Sequence, residues 1–231
     1  MEKELKYQNI TIKYFLKKGQ QKNLYLKYRH PCLIVSAPKK MSLQVIEKFL
    51  LTHWEKIVKW SEPRETLLET TNNSGYVYFL GIKYPLKINV AVKNNKVWFE
   101  NEKIFIVNLK SNQKNDVIKY FDNYLRKQAS ILIIKRVDYF ATLMKLEYLE
   151  VKIRLMAAKW GLCHFQKKRL VFNYKIMHFD RDVIDYLVIH ELAHLKHPNH
   201  SKAFWNYVSL YCLDYKGARL KLKEGFLRNI T

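Results

Sequence analysis

Glycine and proline are scarce in this chain, with 6 and 5 in 231 residues. That leaves little room for disordered linkers or low-complexity spacers. Cysteine is scarcer still. Cys32, Cys163 and Cys212 are odd in number and contain no CxxC pair, which excludes a disulfide framework and suits a reducing compartment. Long apolar runs are missing. A stretch such as residues 131–134 falls far short of the roughly 20 residues a membrane helix needs. The opening MEKELKYQNI is charged and lacks the apolar stretch of a signal peptide. The expectation is a cytoplasmic protein that makes no membrane contact. Acidic residues are also few, 20 against 42 Lys and Arg, for a net charge of +22. Residues 1–110 hold 20 basic and 9 acidic residues, and residues 111–231 hold 22 and 11. The basicity is therefore spread along the chain and is not a tail. Such a field attracts polyanions, so a nucleic-acid partner on the basic surface is one expectation. A lysine-rich solubilising surface is the other, and no nucleic-acid-binding motif accompanies the charge. Nothing in the sequence marks an oligomeric state.

What is present is a globular pattern, 48% hydrophobic. Residues 10–15, 24–28 and 32–37 read as strands, and Ser42 as the N-cap of a helix running to about Trp60, stopped by Ser61-Glu62-Pro63. Residues 64–75 read as a polar loop. Strands are expected at 76–80, 84–92, 97–100 and 104–109, with turns at Gly81, 93–95 and 101–103. From about Asn112 a long amphipathic helix is expected, ending near Leu146. Short strands at 151–155 and 170–172 follow, then helices near 180–196, 201–213 and 216–224. The fold class is α+β, a β-rich region over 1–110 with one helix, then a mostly helical domain over 111–231.

Four of the eight histidines fall within eleven residues, His190, His194, His197 and His200. His190 and His194, spaced i and i+4, share one helix face, and both imidazoles can reach one metal at about 2.0–2.1 Å. Glu191 sits beside that row, where it could take a proton from metal-bound water. Apolar residues cover nearly the whole circumference of the helix, so it is buried, and buried ionisable groups need partners or a metal. A third ligand after the turn would leave one position open for water, the layout of a catalytic zinc. His197 and His200 are the candidates. His197 has barely left the helix, whereas His200 follows a turn and can fold back, so the spacing favours His200. Tyr207, His197 and Asn173 are candidates for stabilising an oxyanion, with nothing to separate them.

The stretch from Asp182 to Trp205, with His190-Glu191-Leu192-Ala193-His194 and then Asn199-His200-Ser201 and Phe204-Trp205, resembles the YgjP-like metallopeptidase-domain family, related to the SprT-like zincins. The resemblance extends over almost the whole chain, including Leu80-Gly81-Ile82-Lys83-Tyr84. It implies a zincin-like metallopeptidase domain, a zinc ion held by His190, His194 and His200, Glu191 as general base, and protein or peptide as substrate. Trp160-Gly161-Leu162-Cys163 corresponds to a family Trp-Gly-Ser-Cys turn, with Leu162 in place of the serine and His164 after the cysteine. From the residues alone this is a packed turn, and Cys163 a small buried hydrophobe. Two other readings accompany the leading one. One is a nucleic-acid-associated protease of SprT-like type. The other is a basic binding protein with a structural zinc.

Overall fold

The structure is a computed structural model that describes residues 2–29, 32–61, 68–70, 74–110 and 114–225. The chain divides into two compact units, Met1–Glu65 and Thr66–Thr231.

The first unit is a four-stranded sheet with two helices. Strands β1 (Glu2–Tyr7), β2 (Ile10–Gly19), β3 (Tyr25–Arg29) and β4 (Cys32–Pro38) lie in the order β1-β2-β4-β3. β2 and β4 run parallel, and the other pairs are antiparallel. Every second residue of β2 and β4 is buried: Ile12, Tyr14 and Leu16, then Leu33, Val35 and Ala37. This period of two turns one sheet face onto Ile46, Leu50, Trp54 and Ile57. Those residues belong to helices α1 (Leu43–Thr52) and α2 (Trp54–Ser61). Ser42 caps α1, its hydroxyl accepting the Val45 N–H. The single helix expected here is thus two, separated at His53, whose Nδ1 donates to the Phe49 carbonyl at 2.9 Å. β1 was not expected. Its residues are mostly charged, and pairing with β2 makes it a strand.

In the second unit, β5 (Leu68–Thr70), β6 (Ser74–Phe79), β7 (Ile82–Asn89), β8 (Lys96–Glu100) and β9 (Ile104–Asn108) form a five-stranded sheet in the order β5-β6-β7-β9-β8. The loop read over 64–75 lies largely outside the described residues, apart from β5 and the start of β6. Helix α3 (Lys114–Met144) buries Val117, Phe121, Leu125, Ala129, Ile133 and Val137 at a spacing of four. These pack in one core with Val77, Phe79, Leu86, Phe105 and Val107 of the sheet. The division therefore falls at Glu65/Thr66 and not near residue 110. The change of texture at 110 is a passage from sheet to helix inside a shared core.

β10 (Glu150–Arg154), β11 (Gly161–His164) and β12 (Arg169–Asn173) form a small sheet ordered β10-β12-β11. The Trp160–Cys163 stretch is therefore not simply a turn, since Gly161 to Cys163 lie on an edge strand antiparallel to β12. Helices α4 (Arg181–Ala193), α5 (Lys202–Ser209) and α6 (Tyr215–Gly225) complete the unit. Three polar contacts fix them. Arg136 of α3 grips Asp185 of α4 through Nε at 2.6 Å and Nη2 at 2.7 Å. Tyr207 of α5 donates to the Met144 carbonyl at 3.0 Å. The Trp160 indole N–H donates to the Leu222 carbonyl on α6 at 3.1 Å. Among the described residues no helix is long and apolar enough to cross a membrane.

Candidate metal centre

α4 is buried on nearly all sides, by Val183, Ile184, Tyr186, Leu187, Val188, Ile189, Leu192 and Ala193. A helix so enclosed holds its C-terminal turn rigidly. His190 lies in the last turn, and His194 is the residue at which the helix ends. The chain then turns, and Ser201 starts α5 by accepting the Phe204 N–H with its hydroxyl. That turn brings His200 back over the end of α4. One ring nitrogen each from His190, His194 and His200 lies within 4.8 Å of the other two. Nε2 of His190 and Nε2 of His200 are 3.0 Å apart. Two donors on one tetrahedral ion at about 2.0–2.1 Å sit about 3.3 Å apart, so this spacing suits one shared cation.

The outward nitrogens are engaged elsewhere. His194 Nδ1 donates to the His197 carbonyl at 3.2 Å, and His190 Nδ1 faces the Tyr186 hydroxyl at 3.4 Å. The carbonyl contact orients the His194 imidazole and leaves its other nitrogen as a lone-pair donor. Burial pushes the His190 pKa down to about 3, aided by the charges of His194, His200 and Arg219. Burial also lowers His194 and His200. In all three rings burial thus favours the neutral form, the form a metal requires.

Phe204 and Trp205 back this trio. The fully buried Phe204 ring lies 5.0, 4.7 and 4.8 Å from the rings of His190, His194 and His200. Trp205 stacks on His200 at 5.5 Å and 19°. The sequence pattern contained both residues, but their role as a wall behind the imidazoles emerges only from the fold. His197 points elsewhere, its ring edge-on to Tyr207 at 5.4 Å.

Glu191 is buried, and burial pushes its pKa up to about 8 against the opposing charge of Lys159. Its carboxylate lies against Gly161 on β11. A methyl group at Gly161 would come 2.7 Å from both Cγ and Cδ of Glu191, closer than real contacts allow. The strand therefore approaches the glutamate because residue 161 is glycine. Cys163, on the same strand, is pushed up to about 12 by burial and then by the Glu191 charge. It is an inert thiol, and it does not belong to the histidine trio.

Comparisons with known proteins give a family, one curated relative and partial overlaps with solved structures. The model of the YgjP-like family, metallopeptidase domain, matches residues 22–225. The chain is 25% identical over 132 residues to a sugar fermentation stimulation protein homolog of Methanosphaera stadtmanae, covering 48% of this chain and 54% of that protein. It thus spans about half the length of that curated relative. Two solved structures overlap part of the chain. One is the metallopeptidase zymogen of Pyrococcus abyssi abylysin, at 20% identity and a TM-score of 0.38, covering 43% of this chain and 99% of that one. The other is the metallopeptidase zymogen of Methanocaldococcus jannaschii jannalysin, at 25% identity and 0.37, covering 40% and 95%. The assignment stands on the family match, which takes in both the histidine cluster and most of the chain: this protein belongs to the YgjP-like metallopeptidase-domain family.

Proposed function

We propose that the protein is a zinc metallopeptidase in which His190, His194 and His200 hold the ion and Glu191 is the general base. The observation that carries this reading is the convergence of three imidazole nitrogens at the end of a buried helix that also bears Glu191. An all-imidazole donor set of three suits zinc and leaves a coordination position open. Zinc bound there supplies Lewis acidity, which acidifies water and polarises the scissile carbonyl. Glu191 takes the proton of the attacking water on its carboxylate and delivers it to the departing amine. Gly161 gives the carboxylate room. The His197 carbonyl holds the His194 ring in the donating tautomer, and Tyr186 lies against the His190 ring. The substrate class is protein or peptide, as the family implies. The compartment proposed is the cytoplasm, supported by three cysteines that are all free.

Glu191→Gln tests the assignment. The variant is expected to bind one zinc with wild-type affinity and to lose about 100- to 10,000-fold in peptide hydrolysis, the usual worth of a general base. Zinc content by mass spectrometry and turnover of an unfolded protein substrate check both halves. Full turnover in the variant rules out Glu191 as the base.

A further inference from the structure

A peptidase cleft needs donors that face the substrate. The three side chains that the sequence suggests for this are committed elsewhere. The Tyr207 hydroxyl is spent on the Met144 carbonyl. The Asn173 amide donates to the Met156 carbonyl at 2.9 Å, and its oxygen accepts the Lys175 N–H at 3.2 Å. The His197 ring packs on Tyr207. Arg219, on α6, is in a different position. Its guanidinium carbon lies 4.8 Å from the centre of the Trp205 ring, and Trp205 in turn stacks on His200 and lies 5.8 Å from His190.

Some cations of this unit have carboxylate partners, among them Arg136 with Asp185, Arg169 with Glu150, Lys175 with Asp122, and Lys221, two residues along α6, with Asp180. Among the described residues Arg219 has none, and it is exposed. A cation–π contact uses the face of a guanidinium and leaves its fork of N–H donors free. That fork matches a carboxylate with two parallel hydrogen bonds. Trp205 therefore holds a permanently charged, unpaired carboxylate receptor at the rim of the histidine trio.

We propose that Arg219 forms a carboxylate subsite in the substrate cleft, binding either the C-terminal carboxylate of a peptide or an acidic side chain near the scissile bond. This inference rests on the metallopeptidase reading above. The rival role for Arg219 is purely structural, clamping Trp205 against His200.

The test uses the full-length, zinc-loaded Glu191→Gln protein and four short labelled peptides of one sequence: free acid or C-terminal amide, each with Asp or Asn at one internal position. Carboxylate-bearing peptides are expected to bind at least about ten-fold tighter than the neutral one, in line with a charge-assisted pair. Arg219→Gln in the same background brings all four level, and Arg219→Lys keeps part of the preference. The acid–amide arm identifies the chain terminus and the Asp–Asn arm the side chain. Equal binding of all four with Arg219 intact overturns the proposal. A zinc titration guards against the structural role. Removing a nearby positive charge leaves zinc affinity equal or a few-fold tighter. A ten-fold loss in Arg219→Gln marks Arg219 as scaffold and overturns the subsite. Hydrolysis by Glu191→Gln would instead strike the reading of Glu191, and it is observed separately from peptide preference.

Discussion

Gly161 and Glu191 face each other across less space than a methyl group needs. No distortion of the glycine backbone is involved. The requirement is steric, since the edge strand and the carboxylate share one volume. Alanine at 161 must displace either β11 or Glu191. β11 is held by pairing with β12 and by the Trp160 N–H bond to Leu222, so the glutamate is the group expected to move. A shift of about 1 Å in a reacting group can cost about 100-fold in rate. Gly161→Ala is expected to keep its zinc and its fold, and to lose ten-fold or more in kcat with little change in KM. Wild-type kcat in a variant of normal metal content would show that Gly161 has no part in placing Glu191. The need for glycine was not legible beforehand, because residues 161 and 191 meet only in the folded chain. By contrast, the i, i+4 pair and its neighbouring glutamate were plain in the sequence, since helix geometry alone puts them on adjacent faces. Arg219 sits nineteen positions beyond His200 in no motif, and nothing short of the fold brings it to Trp205.

At the scale of elements, local periodicity made most of the second unit readable. The spacing of four in α3 and the all-round apolar cover of α4 are properties of their own segments. The strands that escaped notice are those whose character comes from a neighbour. β1 is charged along most of its length, β5 is three residues inside a stretch that reads as a polar loop and pairs with β6, and β11 is four residues beginning with glycine. Each is a strand because an adjacent strand supplies its hydrogen bonds. The unit boundary was hidden for a similar reason, because the partner of the β5–β9 sheet is a helix that begins only after residue 110. The joint between α3 and α4 depends on Arg136 and Asp185, whose side chains are 29% and 23% exposed and bonded at both ends. A two-pronged, partly buried pair of this kind is strongly coupled. Arg136→Met and Asp185→Asn are each expected to destabilise the protein by about 1–3 kcal/mol, and the double variant by clearly less than their sum. Urea unfolding midpoints of the four proteins measure the coupling. Strict additivity would mean that the two side chains are not energetically coupled and that the bridge adds nothing as a pair.

For the molecule as a whole, the +22 charge makes acidification a severe test, since protonating carboxylates removes the few charges that offset it. One buried group adds a distinct signature. His178 is enclosed where the β6 strand meets the segment before α4, and its Nδ1–H donates to the Tyr78 carbonyl at 2.6 Å. Burial is the main cause that pushes its pKa down from 6.5 to about 4. The Tyr78 carbonyl opposes this, the nearby Lys175 charge adds to it, and Asp122 opposes it. Above pH 6.5 the ring is neutral in both folded and unfolded chains and contributes no pH slope. Between pH 6.5 and about 4 only the unfolded chain takes up the proton, so stability falls as the pH falls. The loss levels off below about 4, where the folded chain protonates as well. The full difference is about 3 kcal/mol, from 1.36 kcal/mol per pKa unit. His178→Asn keeps a donor near Nδ1 but cannot titrate. It is expected to be less stable than wild type at pH 7, because a well-fitted ring is lost, and to converge on wild type as the pH approaches 4. Unfolding free energies of the two proteins across that range decide the matter. Parallel curves would mean that His178 takes up its proton equally in the folded and unfolded chains, and that the acid sensitivity comes from carboxylates alone.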